Sequence, residues 1–276
     1  MSITIDSWQH SEGKAGSDRN DDFVMVRKIF NYRVLGLLGD FTSDSQAGIN
    51  KRLEKEMQRF IDERLEMWKD MLLPPDRILN LVARHINKWL ADRRGDSRTT
   101  LVAMDYNAKS RMLHYLTVGD SGLGLGRPSG IDLVVKGDTS GVRDASGFLP
   151  LDVADFKVGH CAVDEDTSIF AYTDGFWENT QHFLDPHDVE KVLQPVFRKG
   201  SALIIGANLK ESIYGGSSQQ DDLTMLVLKS ESGGKVVGHY THPDLGLQVG
   251  PIEDVVLEEL MKGRGSANEV STGGRR

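Results

Sequence analysis

At 276 residues, with 33 Lys and Arg against 41 Asp and Glu, the chain carries a formal charge of −8 and is 39% hydrophobic and 27% charged. That composition fits a globular protein with a sizeable core and excludes collagen-like, low-complexity and wholly disordered chains. The one cysteine, Cys161, excludes an internal disulfide and a multi-cysteine zinc site, and the acidic balance argues against a nucleic-acid partner.

The opening MSITIDSWQH lacks the basic and apolar regions of a signal peptide. No apolar run reaches the roughly 18 to 20 residues needed to span a bilayer. A cytoplasmic protein without a membrane partner is expected. Residues 22–40 read as two strands joined by a tight turn at Asn31-Tyr32. From Ser43 the spacing becomes helical, with Ile49, Leu53, Met57, Phe60, Ile61, Leu65 and Trp68 on one face. Pro74-Pro75-Asp76 ends that helix and starts a second, whose apolar face holds Ile78, Leu81, Val82, Ile86, Trp89 and Leu90. The two helices are expected to pack antiparallel. TTLVAMDY and RMLHYLTVG form a second hairpin around residues 107–110.

The stretch 122–160 is punctuated by Gly and Asp and reads as loop-rich, with short strands at 131–135 and 154–158 and a possible substrate-gating flap over 137–160. GLGLGRPSG at 122–130 has neither dinucleotide-binding nor P-loop spacing and reads as loop. SIFAYTDG ends a strand at Asp174-Gly175, residues 187–198 and 201–213 are helical, and DLTMLVLK (222–229) is a last strand. The order of strands, helix pair, strands, helix pair and strand implies an α+β fold with antiparallel sheets. Residues 1–230 are expected to form the main domain, 231–262 an extension packed on it, and 263–276 a disordered tail.

Acids recur at the strand tips. Asp21 and Asp22 precede the first predicted strand and Asp40 ends its partner, so hairpin geometry brings them to one end. Asp120 ends the second hairpin, Asp174 ends the 168–173 strand, and Asp221 and Asp222 begin the last. Crowded carboxylates repel and need a cation. With no His/Cys ligand set beside them, hard oxygen-seeking Mg2+ or Mn2+ is the natural partner.

The pieces NDDFV, LLGDFTSD, RTTLVAM, LTVGDSGL, FAYTDGFWE and QDDLTMLVL, spread over residues 10–229, resemble the metal-dependent serine/threonine protein phosphatases of the phosphatase 2C family. The resemblance implies a four-layer αββα sandwich of two antiparallel β-sheets flanked by helix pairs. It implies hydrolysis of phosphoserine or phosphothreonine on a protein substrate by a water bridging two Mg2+ or Mn2+ ions, in bacterial-type signalling. By position, Asp40 would be the bridging carboxylate and Phe41 would offer a carbonyl to a metal. Asp174 and Asp221 would serve the first ion, and Asp21 and Asp22 the second. Adjacent residues of a strand point to opposite faces, so only one of that pair binds directly. Asp120 and Glu178 would hold a third ion, and Thr100 would line the site.

Two positions depart from the family pattern. Thr42 stands where many members carry a proposed general-acid histidine, and Ser17 where a phosphate-binding arginine is usual. Lys14 or Arg19 is the candidate replacement for that arginine. The alternative to an enzyme is a phosphatase-like module that holds a phosphoprotein or acts as a scaffold. Neither the oligomeric state nor the substrate protein is legible.

Overall fold

The computed structural model describes residues 3–13, 20–42, 45–93, 97–135, 149–150, 156–176, 179, 193–197, 200–214 and 221–232. Strands β2 (Phe23–Phe30) and β3 (Arg33–Gly39) pair through the Asn31-Tyr32 turn as the alternation predicts. Helix α1 (Ile49–Asp70) ends where Leu72 turns to a positive φ of 47°, and α2 (Pro75–Ala91) starts on Pro75, whose ring suits a first helical turn. Strands β4 (Leu101–Asn107) and β5 (Met112–Val118) form the second hairpin. Its turn is shaped by Asn107, whose Oδ1 accepts the amides of Lys109 and Ser110.

Strands β6 (Gly122–Arg127) and β7 (Gly130–Val135) follow as a hairpin, then β8 (Lys157–Ala162), β9 (Ser168–Tyr172), a 3-10 turn at Gln194–Phe197, helix α3 (Ala202–Tyr214) and β10 (Leu223–Ser232). The strand β1 (Ile3–Glu12) opens the chain. One sheet runs β2-β3-β4-β5-β8 and the other β1-β10-β9-β6-β7. All the pairings within them are antiparallel.

Three apolar layers result, and residue parity sorts side chains among them. On β3 and β4, Leu35, Leu37, Leu101 and Ala103 face the α1–α2 pair. Val34, Leu38, Val102 and Met104 point the other way, into the core between the sheets, with Ile5, Ile169, Ala171, Leu226 and Leu228 opposite them. The outer face of the second sheet packs Trp8, Phe170, Tyr172 and Val227 against α3 through Ile205 and Leu209. This is the four-layer αββα sandwich, with a described helix pair on one side and α3 plus the 3-10 turn on the other. Cys161 packs half-buried at the edge of the inter-sheet core, and burial pushes its thiol above its ordinary range.

Two readings of the sequence need correction. The segment 122–130 is not a loop: its glycines alternate on one face of β6, and aromatic rings lie on that face. A Cβ on Gly122, Gly124 or Gly126 would run into Tyr172, Phe170 or Phe197 respectively. The absent side chains are room for rings, which glycine count alone reads as flexibility. The second correction is β1, absent from the sequence reading because Asp6, Ser7, Gln9, His10 and Ser11 break its apolar pattern. Asp6 explains one of these: its carboxylate accepts the Ala202 amide at 2.9 Å and so caps α3. The flap region, apart from Leu149, Pro150 and Phe156–His160, and the extension and tail beyond Ser232 lie outside the described residues.

The helix pair is pinned to its sheet by a buried ion pair. Arg33 on β3 meets Asp105 on β4 through Nε (2.8 Å to Oδ1) and Nη2 (2.7 Å to Oδ2), with side chains 8% and 0% exposed. The same guanidinium donates to the Leu73 carbonyl in the α1–α2 turn through both Nη atoms at 3.2 Å.

Candidate metal and active site

The strand tips of both sheets meet at one edge. By the parity above, Asp22 continues the inward face of β2 beyond Val24, and Asp40 continues that of β3 beyond Leu38. Asp22 is 2% exposed. Its Oδ2 accepts the Thr173 hydroxyl at 3.0 Å, and that hydroxyl in turn accepts the Thr224 amide at 3.1 Å. Its Oδ1 is buried with no hydrogen-bond donor among the described residues. Asp21 has the opposite parity, and it is its backbone amide that engages the edge, donating to Asp222 Oδ2 at 2.8 Å.

The electrostatics show which acids converge. Burial, then the charges of Asp22, Asp174 and Asp221, hold the Asp40 carboxyl well above the usual carboxylate range. Burial also pushes the Asp22 carboxyl up to about 7, with contacts from Asp40, Thr224 and Thr173 partly offsetting it and the charge of Asp222 adding to it. Four of the predicted acids, Asp22, Asp40, Asp174 and Asp221, therefore feel one another in a water-poor pocket. Asp120 stands next to Ser121, whose hydroxyl lies 2.7 Å from Thr100 Oγ1. Lys14, Arg19 and Glu178 lie outside the described residues.

Backbone groups fix Asp40. Thr100 donates its amide to the Asp40 carbonyl (2.9 Å), Thr100 Oγ1 accepts the Asp40 amide (2.9 Å), and Thr99 Oγ1 donates to the same carbonyl (2.9 Å). The next residues pair Phe41 with Thr99, and the ladder bonds run from Thr42 N to Arg98 O and from Thr100 N to Asp40 O. Neither bond uses the Phe41 carbonyl, while the Phe41 ring is buried under the helices. Thr99 is also bridged in both directions to Leu149.

Two asparagines and one glycine were not legible as site residues. Asn50, on the first turn of α1, donates to the carbonyls of Asn20 (2.7 Å) and Asp22 (3.0 Å). Asn179, 2% exposed, donates to the Gly175 carbonyl at 2.6 Å and the Asp221 carbonyl at 3.2 Å, clasping the two acid-bearing turns together. Gly175 lets those turns close, because a Cβ there would collide with the Asp222 carbonyl oxygen. Apart from the local Gly175 carbonyl, the partners of both asparagines are backbone carbonyls brought near by the fold, and no motif announces them.

The donor set suits a hard divalent cation: carboxylate oxygens, no sulfur or imidazole, one orphaned oxygen on Asp22, and two carboxyls that burial and mutual repulsion drive toward protonation. Among the described residues, no three His, Cys, Asp or Glu side chains surround a single point as a finished ligand set. The acids are gathered, and an ion would draw them in.

A stability measurement follows. A carboxyl whose folded pKa exceeds its unfolded value binds a proton preferentially in the folded state, so its contribution is lost as pH rises toward and through the folded value. In chelator the melting temperature is expected to fall between about pH 5.5 and pH 8, and millimolar Mg2+ or Mn2+ to raise it more at the higher pH. A melting temperature that rises with pH in chelator would contradict this picture of the edge.

No helix among the described residues is long and apolar enough to cross a membrane. A model of the family described as "Stage II sporulation protein E (SpoIIE)" matches residues 47–231. No curated protein matches significantly. Among solved structures, RsbX in complex with magnesium is 15% identical, with a TM-score of 0.56 over 82% of this chain and 96% of its own. The phosphatase 2C domain of SpoIIE from Bacillus subtilis, solved with a fragment of its regulatory domain, is 15% identical, with a TM-score of 0.62 over 84% of this chain and 65% of its own. The catalytic domain of the serine/threonine phosphatase PstP, in complex with two manganese ions, is 14% identical, with a TM-score of 0.61 over 83% and 100%.

Proposed function

The chain belongs to the stage II sporulation protein E family and is a metal-dependent serine/threonine phosphatase of the phosphatase 2C type, and we propose that Asp22, Asp40, Asp174 and Asp221 hold its catalytic ions. The observation that carries this assignment is the Asp40 carboxyl, buried among the charges of Asp22, Asp174 and Asp221. Asp40 is the natural bridging group because the charges of all three others act on it. Asp21, whose amide donates to Asp222, remains a candidate beside Asp22, and the Phe41 carbonyl, outside the strand ladder, would complete the ligands. Asp120 and Glu178 remain our candidates for a third, more weakly held ion.

When bound, Mg2+ or Mn2+ supplies a water acidic enough to attack phosphorus at neutral pH and neutralises the phosphoryl oxygens. The chain's own residues fix the geometry in which that happens. Thr173 orients the Asp22 carboxylate, Thr99 and Thr100 lock the Asp40 backbone, and Asn179 holds the Gly175 and Asp221 turns in register. Thr42, on the face of Asp40, cannot act as a general acid at neutral pH. Lys14 or Arg19 is proposed to meet the phosphoryl group. The substrate is a phosphoserine or phosphothreonine protein, and residues 1–230 suffice for this chemistry.

The test is release of phosphate from a phosphothreonine peptide by the full chain, in Mn2+, in Mg2+ and in chelator. Turnover with either ion that chelator abolishes is the expected result. A folded, ion-saturated protein that releases none would instead favour a phosphatase-like binding module.

A further inference from the structure

The usual phosphate-binding arginine is absent, yet the structure places another arginine at the mouth of the site. Strand register locates it. Asp40 lies opposite Thr100, Phe41 opposite Thr99 and Thr42 opposite Arg98, as fixed by the bonds Thr100 N to Asp40 O and Thr42 N to Arg98 O. Opposed residues of an antiparallel pair share a face. Two residues inward, Leu38 and Val102 on that same face lie in the core between the sheets, whereas Phe41 and Leu101 lie on the helix side. Asp40, Thr42, Arg98 and Thr100 therefore line one face, the open end of the inter-sheet layer where the acids collect.

Arg98 is diagonal to Asp40 across the pair, a separation of roughly 7 to 8 Å that a long side chain spans. It is exposed, and its guanidinium has no carboxylate or carbonyl partner among the described residues, although acids crowd the neighbouring pocket. Several other described arginines are committed, among them Arg33 to Asp105, Arg59 to Glu56, and Arg127 to Asp132 and Asp164. The Arg98 backbone, by contrast, is held at both ends of its peptide unit, with its amide donating to Ser45 Oγ at 3.4 Å and its carbonyl accepting from Thr42. A fixed stem carrying an uncommitted planar fork is what bidentate capture of an oxyanion requires.

On the phosphatase reading of this site, we infer that Arg98 grips two non-bridging oxygens of the substrate's phosphoryl group. It would do so from a segment whose bridge to residues 40–42 sets its position, and so would not depend on Lys14 or Arg19. The contact is with the phosphoryl group and not with the surrounding peptide, so a small aryl phosphate must feel it as strongly as a phosphopeptide.

Arg98→Ala and Arg98→Lys, with Arg59→Ala as a control for loss of a surface charge on α1, are compared with the unaltered chain in Mn2+. Three quantities are read: hydrolysis of p-nitrophenyl phosphate, hydrolysis of a phosphothreonine peptide, and the affinity for inorganic phosphate by calorimetry. The expected result is a loss of roughly tenfold or more in kcat/KM and in phosphate affinity for Arg98→Ala, with Arg98→Lys between it and the unaltered chain, since lysine keeps the charge without the fork. Arg59→Ala and all melting temperatures stay unchanged. Equal phosphate affinity in Arg98→Ala and the unaltered chain overturns the inference, as does a defect seen with phosphopeptide but not with p-nitrophenyl phosphate. Should the unaltered chain bind phosphate but turn over neither substrate, the phosphatase reading fails and the affinities still decide the role of Arg98.

Discussion

Asp40→Asn is expected to lower metal-dependent turnover by roughly two orders of magnitude or more, while making the metal-free protein more stable. The two effects share one cause. Asparagine keeps the shape and the backbone bonds to Thr99 and Thr100 but removes the charge that faces Asp22, Asp174 and Asp221. Without ions the carboxyl must either repel its neighbours or take up a proton, and asparagine removes that cost. On the proposed assignment it would hold ions, and its removal would then weaken their binding and the turnover that depends on them. Parallel melting curves and phosphate-release assays check both halves, and the ion-induced rise in melting temperature should shrink in the variant. Asp174→Asn should behave in the same direction. A variant that lost activity together with metal-free stability would mark Asp40 as structural support and not as a ligand.

The largest effect on stability is expected from Asp105→Ala. Arg33 would remain buried between β3, β4 and the α1–α2 turn with its main anionic partner gone, and breaking a buried pair from one side costs on the order of 3 to 5 kcal/mol. For a domain of this size that is roughly 10 °C or more in melting temperature. Burial holds the Asp105 carboxyl above its ordinary range despite the guanidinium, a sign that desolvation opposes the pair strongly. The double change Arg33→Met with Asp105→Leu should therefore recover most of the loss, since packed apolar side chains avoid that penalty. Denaturant titration of the two single variants and the double one measures the coupling. A single variant within about 1 kcal/mol of the unaltered chain would show that the pair contributes little to holding the helices.

Much of this was open to reading from the residues. Alternation around Asn31-Tyr32 gave the first hairpin, the Pro74-Pro75 break gave the helix pair, and acids at strand tips gave the edge where Asp22, Asp40, Asp174 and Asp221 meet. What stayed hidden has a common physical origin. Gly122, Gly124 and Gly126 look like a flexible loop until the rings of Tyr172, Phe170 and Phe197 are placed over them. Strand β1 looks unpatterned because its polar residues answer distant partners, Asp6 at the α3 start and Ser11 at Thr224 and Asn20. Asn50 and Asn179 act on carbonyls, and a carbonyl leaves no mark in a sequence. In most of these cases the partner lies far along the chain, where local periodicity carries no signal.

The pairing of β1 with β10 also has a consequence for synthesis. These two strands are matched over their whole lengths, and the bond from Asp21 N to Asp222 Oδ2 joins residues 201 positions apart. During translation, the β2-β3-β4-β5-β8 sheet is complete in the nascent chain once Ala162 has left the ribosome, since all its strands precede that point. The other sheet must wait for Leu223–Ser232, and so must the acid-bearing edge, because Asp221 and Asp222 come just before that strand. Such high contact order delays closure to the end of the catalytic region. A nascent chain that stops short of β10 thus carries Asp22 and Asp40 without Asp221 and Asp222.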